Sequence, residues 1–195
     1  VYLLWRILDA GALPAHGFCL GSVKAKQIFA RRTSNTLEAP VMTDQTRHIM
    51  LAAGGTGGHI YPAYALAAKL LTRGHKVSLI TDKRGKAWPG LPEHIDVHVI
   101  EAGDTRKKGV FGAIQTLLGV YRGMKQARTL YRTPKVHVVV GFGGYPALPA
   151  VLAARVAQIP YCLHEQNAVL GRVNRFMAGK AAAIAVSWTK TAQLK

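Results

Sequence analysis

The chain's 195 residues suffice for one large α/β domain, or for a domain with an appendage, and a hydrophobic content of 49% supports a packed core and excludes global disorder. The formal net charge of +17 is uneven: after Asp104 the only acid is Glu165, against fourteen Lys and Arg, a field that favours an anionic partner. Aromatic residues do not interleave with basic ones as on an RNA-binding sheet, which sets nucleic acid aside, and Cys19 and Cys162 make neither a disulfide pattern nor a metal-ligand spacing.

Residues 1–41 differ in character from the rest of the chain. Residues 1–8 are apolar, but Arg6, Asp9, Pro14 and His16 interrupt the run well short of the ~20 residues that span a membrane. The ordered zones of a secretory signal are missing, and residues 24–36 are basic and polar. Met42-Thr43-Asp44 reads as a start, so residues 1–41 are expected to be a poorly ordered or non-native extension.

The globular pattern begins at Thr46 and is expected to close near Trp188. Residues 48–53 read as a buried strand that runs through Gly54-Gly55-Thr56-Gly57-Gly58-His59 into a helix. Pro62 falls near the first turn of that helix, Ala65, Leu66, Leu70 and Leu71 form its apolar face, and Gly74 ends it. Residues 76–82 and 95–100 read as strands around a Gly- and Pro-bearing loop. A long helix is expected over 110–131, then a buried strand at 138–140 and a second glycine loop, Gly141-Phe142-Gly143-Gly144-Tyr145. A helix at 149–156, a strand at 160–163 running into His164-Glu165-Gln166-Asn167, a helix over 168–177 and a strand at 182–186 complete the pattern. Strands alternating with helices imply an α/β fold with a Rossmann-like parallel, doubly wound sheet. Ligands of such sheets sit beyond the carboxyl ends of the strands, where all three loops would converge.

The first glycine loop joins a strand to a helix, so unpaired N–H groups and the positive helix end meet there, a geometry that suits phosphate or diphosphate. The bland alternative is a tight turn with no ligand. A nicotinamide or flavin fingerprint is favoured by Asp82, at the place of a ribose-binding acid, but Ile60 stands where that motif needs glycine. A P-loop is also excluded, because no Gly-Lys-Ser/Thr follows.

The two glycine loops and the His164-Glu165-Gln166-Asn167 stretch, followed by Gly171 and Asn174-Arg175, resemble the MurG family of bacterial peptidoglycan N-acetylglucosaminyltransferases. The resemblance covers residues 47–188 and implies the amino-terminal, acceptor-side half of a two-domain GT-B glycosyltransferase. It further implies that the carboxyl-terminal donor domain lies outside these 195 residues and that the chain alone lacks turnover. The implied reaction is an inverting transfer of N-acetylglucosamine from UDP-N-acetylglucosamine to the C4 hydroxyl of undecaprenyl-diphosphate-linked muramoylpentapeptide (lipid I), giving lipid II. No metal or other cofactor is implied. The resemblance assigns Thr56, Gly57, Gly58 and Asn167 to the sugar nucleotide, and turns the glycine loops, with Gly143, Gly144 and Tyr145 on the substrate side, toward the diphosphate of the lipid acceptor.

An inverting transfer needs a base for the acceptor hydroxyl and donors for the leaving diphosphate. His59 is the leading base candidate, with a loop-shaping role as its alternative; Glu165 is the second candidate, with structural pairing as its alternative. A competing function from another class is a non-catalytic module that binds membrane or lipid diphosphate. For the membrane, Arg106, Lys107 and Lys108 precede Val110, Phe111, Ile114, Leu117, Leu118 and Tyr121, with Arg122, Lys125 and Arg128 beyond. Such a helix can lie on an anionic membrane surface, each basic residue adding ~1 kcal/mol, and the resemblance implies that this surface is the cytoplasmic face of the inner membrane. Its alternative is a helix that simply packs on the sheet.

Overall fold

The computed structural model describes residues 26–28, 46–103, 109–188 and 190–193. Among the described residues seven strands form one parallel sheet: β1 (Lys26–Ile28), β2 (His48–Ala52), β3 (Lys76–Thr81), β4 (Asp96–Val99), β5 (Val138–Gly141), β6 (Tyr161–Glu165) and β7 (Ala183–Val186). Their spatial order is β1-β7-β6-β5-β2-β3-β4. The chain winds outward from β2 through β3 to β4, then returns to β5 on the other side of β2. The switch point therefore lies between β2 and β5, and both glycine loops leave the sheet there.

Successive residues of the buried strands point to opposite faces, and two cores result. Ile49, Leu51, Val77, Leu79, Val138 and Val140 pack with helix α1 (Gly57–Leu71). Met50, Ala52, Ile80, Val139 and Leu163 pack on the other face with α2 (Gly109–Leu130), α3 (Ala147–Val156) and α4 (Arg172–Met177). Two buried tyrosines fix this second layer, Tyr131 Oη donating to the Ala150 carbonyl and Tyr161 Oη to that of Met177, each at 2.8 Å.

Three local expectations are corrected. α1 starts at Gly57, so Pro62 lies inside it rather than in its first turn. Its missing N–H leaves the exposed Gly58 carbonyl, four residues back, without a helical donor. The buried face of α1 is Ile60, Ala63, Tyr64, Leu66, Ala67 and Leu70, while Ala65 is exposed. Residues 168–170 are not helical: Val169 bridges Ala192, and Leu170 N–H donates to the Ala192 carbonyl at 3.0 Å. α4 begins only after Gly171, whose extended backbone (ψ 155°) stops the helix from reaching back.

The long helix α2 buries its small residues. It packs through Gly112, Gly119, Val120, Gly123 and Ala127. A Cβ on Gly123 would overlap the Glu101 carbonyl oxygen, so that position admits only glycine at this approach. The small-residue face lies inward, and Val110, Phe111, Ile114, Leu117, Leu118 and Tyr121 are left exposed.

Candidate active site

The site is built from three loops at the carboxyl ends of β2, β5 and β6. At the first, Phe142 N–H donates to the Ala52 carbonyl at 2.9 Å, which holds the starts of the two glycine loops together. Thr56 is the N-cap of α1, with extended backbone (φ −135°, ψ 156°), yet its side chain does not cap a backbone N–H. Its Oγ1 instead lies 2.8 Å from His59 Nδ1. Among the described residues the N–H groups of Gly57 and Gly58 have no backbone acceptor, as expected for the first helical turn.

His59 stands between the first and second loops. A Cβ on Gly143 would lie 3.4 Å from the imidazole Cδ2, and one on Gly144 would lie 3.5 Å from Cε1. Gly143 and Gly144 have φ of 83° and 74°, left-handed values that let the second loop fold back against this ring before α3 begins. Burial lowers the His59 pKa below its ordinary value, partly offset by the Glu165 carboxylate, so the ring is neutral near pH 7. When Nδ1–H donates to Thr56 Oγ1, Nε2 carries the free lone pair that a base requires.

Glu165 is buried at 1% exposure and its acceptors are occupied. Oε1 accepts from Asn167 N–H at 3.0 Å and Asn167 Nδ2 at 2.9 Å. Oε2 accepts from Gly171 N–H at 2.8 Å and Asn174 Nδ2 at 2.9 Å. A carboxylate held by four donors organises a loop: it orients Asn167, fixes the start of α4 and draws in Asn174. Asn174 Nδ2 also donates to the His164 carbonyl at 2.9 Å and would lie 3.2 Å from a Cβ on Gly143, so it links the third loop to the second. In the sequence Asn174 belongs to a motif that gives it no role of its own, and only its spacing from Glu165 hints at this contact. His164 is buried against Phe142, ring centroids 5.2 Å apart, and burial pushes its pKa down to about 4.

Asp82 takes a different part from the ribose ligand that its position suggested. Its Oδ1 accepts from Gly85 N–H at 2.8 Å and Gly55 N–H at 3.3 Å, while Oδ2 accepts from Arg84 Nε at 2.9 Å. The carboxylate thus braces the first glycine loop against the loop after β3. Tyr61 and Trp88 pack edge to face at 5.8 Å and close over Gly57, where a Cβ would come within 3.1 Å of each ring.

The remaining expected site residues lie where the loops put them. Asn167 is exposed with its amide directed to Glu165, and Tyr145 is partly exposed (37%) just before α3. On α2, Phe111 is 73% exposed, Ile114 50% and Leu118 48%, well away from the three-loop rim in sequence; Lys107 and Lys108 lie outside the described residues. Of the described residues, no helix is long and apolar enough to cross a membrane.

A family model described as the glycosyltransferase family 28 N-terminal domain matches residues 49–186. Over 154 residues the chain is 52% identical to an Erythrobacter litoralis protein named UDP-N-acetylglucosamine–N-acetylmuramyl-(pentapeptide) pyrophosphoryl-undecaprenol N-acetylglucosamine transferase, covering 79% of this chain and 38% of that one. A Zymomonas mobilis protein of the same name is 50% identical over 150 residues, covering 77% and 38%. The crystal structure of Acinetobacter baumannii MurG matches with a TM-score of 0.63 and 32% identity, covering 74% of this chain and 42% of that one. The chain spans less than half the length of these relatives.

Proposed function

Because the chain belongs to glycosyltransferase family 28, as the amino-terminal half of a GT-B glycosyltransferase, we propose that it supplies the acceptor side of a UDP-N-acetylglucosamine:lipid I N-acetylglucosaminyltransferase. The observation that carries this reading is the placement of a neutral His59 between the two glycine loops, with Nδ1 at the Thr56 hydroxyl.

In the proposed reaction the C4 hydroxyl of the muramoyl sugar attacks the anomeric carbon of N-acetylglucosamine. His59 Nε2 takes the hydroxyl proton as the new C–O bond forms, and the bond to UDP breaks with its electrons passing to the diphosphate. The unpaired N–H groups of Gly57 and Gly58 and the positive end of α1 offer fixed partial charge to a diphosphate, with no reorganisation needed during the reaction. Glu165 acts as a positioning residue through Asn167 and Asn174, since both of its oxygens are already engaged. Asn167, Gly143, Gly144 and Tyr145 line the same rim and contact substrate.

The exposed face of α2 supports a second element of the proposal, peripheral docking on the anionic cytoplasmic face of the inner membrane, where the lipid-linked acceptor resides. Phe111, Ile114, Leu117 and Leu118 would enter the interface, with Arg122, Lys125 and Arg128 toward the headgroups.

The test is transfer of labelled N-acetylglucosamine from UDP-N-acetylglucosamine to a short-chain lipid I analogue. The enzyme is this chain fused to the carboxyl-terminal domain of the Erythrobacter litoralis relative. Formation of the β-linked disaccharide lipid is expected; a folded fusion that binds neither substrate would overturn the reading.

A further inference from the structure

The loop after β3 brings a cation to the first glycine loop. Arg84 Nη2 would lie 3.7 Å from a Cβ on Gly55, at the glycine whose φ of 83° turns the chain toward α1. The guanidinium is held by Asp82, whose Oδ2 accepts from Arg84 Nε at 2.9 Å. Asp82 is itself anchored from the other side by Gly55 N–H and Gly85 N–H. The Arg84 side chain nonetheless remains 61% exposed, and among the described residues its two terminal nitrogens have no acceptor.

Two features make this more than a surface ion pair. Asp82 spends one oxygen on the two backbone N–H groups, so the arginine is tied to the loop itself rather than to a neighbouring surface. A Cβ on Gly85 would overlap Thr81 Oγ1 and lie 3.2 Å from Gly54 Cα, so the backbone carrying Arg84 is pressed against the glycine loop and cannot be shifted outward by a larger residue. The exposed edge of a guanidinium then stands beside Gly55 of the glycine loop. Planar donors of this kind pair two oxygens of a phosphate at once, which a single backbone N–H cannot do.

We propose that Arg84, positioned by Asp82, is a diphosphate-binding residue of the first glycine loop. The inference rests on the reading of that loop as a substrate-diphosphate site. Two substrates of the proposed reaction carry a diphosphate, the isoprenoid-linked acceptor and the nucleotide sugar. The chemistry at Arg84 is the same for both.

Calorimetric titration of the 195-residue chain with farnesyl diphosphate and, separately, with UDP distinguishes the sources. Arg84→Gln is expected to weaken binding of one of them about tenfold, with a shallower salt dependence and an unchanged thermal midpoint. Arg84→Lys is expected to recover part of the loss, and Asp82→Asn to weaken the same ligand by releasing the guanidinium. Loss confined to farnesyl diphosphate assigns Arg84 to the acceptor; loss confined to UDP assigns it to the donor. If Arg84→Gln binds both ligands as the unmodified chain does, the role of Arg84 is overturned while the loop reading stands. If the unmodified, folded chain binds neither, the loop reading falls and the role of Arg84 with it.

Discussion

Thr56 Oγ1 and His59 Nδ1 lie 2.8 Å apart, so the residue that caps α1 also sets the orientation of the imidazole in its first turn. In the proposed reaction this contact leaves Nε2 as the nitrogen for the acceptor hydroxyl. Thr56→Val keeps the shape and removes the hydroxyl; loss of one such bond, worth about 0.5–1.5 kcal/mol, is expected to lower kcat of the fused enzyme by about 3- to 10-fold with little change in KM. Steady-state kinetics on the lipid I analogue check this.

The pH dependence of transfer is set by the direction of the His59 shift. Burial holds its pKa below 6.5, so the base is already deprotonated at neutral pH. The acidic limb of the kcat/KM profile is therefore expected to fall below pH 6.5, with a flat rate from there to about pH 8. A limb centred above pH 7 would point to a different base.

Glu165 predicts a stability effect before a chemical one. Glu165→Ala strands four donors, those of Asn167 N–H, Asn167 Nδ2, Gly171 N–H and Asn174 Nδ2. With about 1–3 kcal/mol for each donor left without water, a loss of several kcal/mol is expected in denaturant unfolding, alongside lost activity. Glu165→Ala that kept full stability and lost only turnover would instead make the carboxylate a chemical participant.

The sequence carried the strand-loop-helix order and the three loops clearly, because buried parallel strands read as short apolar runs and glycines mark the turns between them. It carried much less about partners across the fold. The apolar residues of α2 suited either a membrane surface or packing on the sheet, and only the fold shows that Gly119 and Gly123 let the opposite face approach Gly103 and Glu101 more closely than large residues could. Asp82 stood where a ribose ligand is expected, but two N–H groups and a guanidinium, brought together only by folding, consume its acceptors. Residues 168–170 had helical composition; pairing with Ala192 and the anchoring of Gly171 N–H by Glu165 drew them into an extended path.

Gly123 offers a direct test of that packing. Gly123→Ala forces a Cβ onto the Glu101 carbonyl and is expected to destabilise the chain by about 1–3 kcal/mol. Gly109→Ala is not an equivalent control because Gly109 has φ of 80°, so Ala113→Gly on the exposed face serves for comparison. Thermal unfolding of the two variants distinguishes them.

Stability itself is expected to weaken in acid because of His164. Its folded-state pKa of about 4 is depressed from 6.5 by burial, so the unfolded chain binds the proton more readily. The contribution is complete above pH 6.5 and is lost progressively as pH falls from 6.5 toward 4, at up to about 1.4 kcal/mol per pH unit. Denaturant midpoints across that window are expected to show the slope, and His164→Asn to reduce it.

The most direct test of the account is single-turnover transfer by the fused enzyme carrying His59→Gln, with binding of the lipid I analogue measured on the same protein. The account predicts that the acceptor still binds within about threefold while the chemical step slows by about 10²–10⁴. A His59→Gln enzyme that transfers N-acetylglucosamine at the unmodified rate would contradict it.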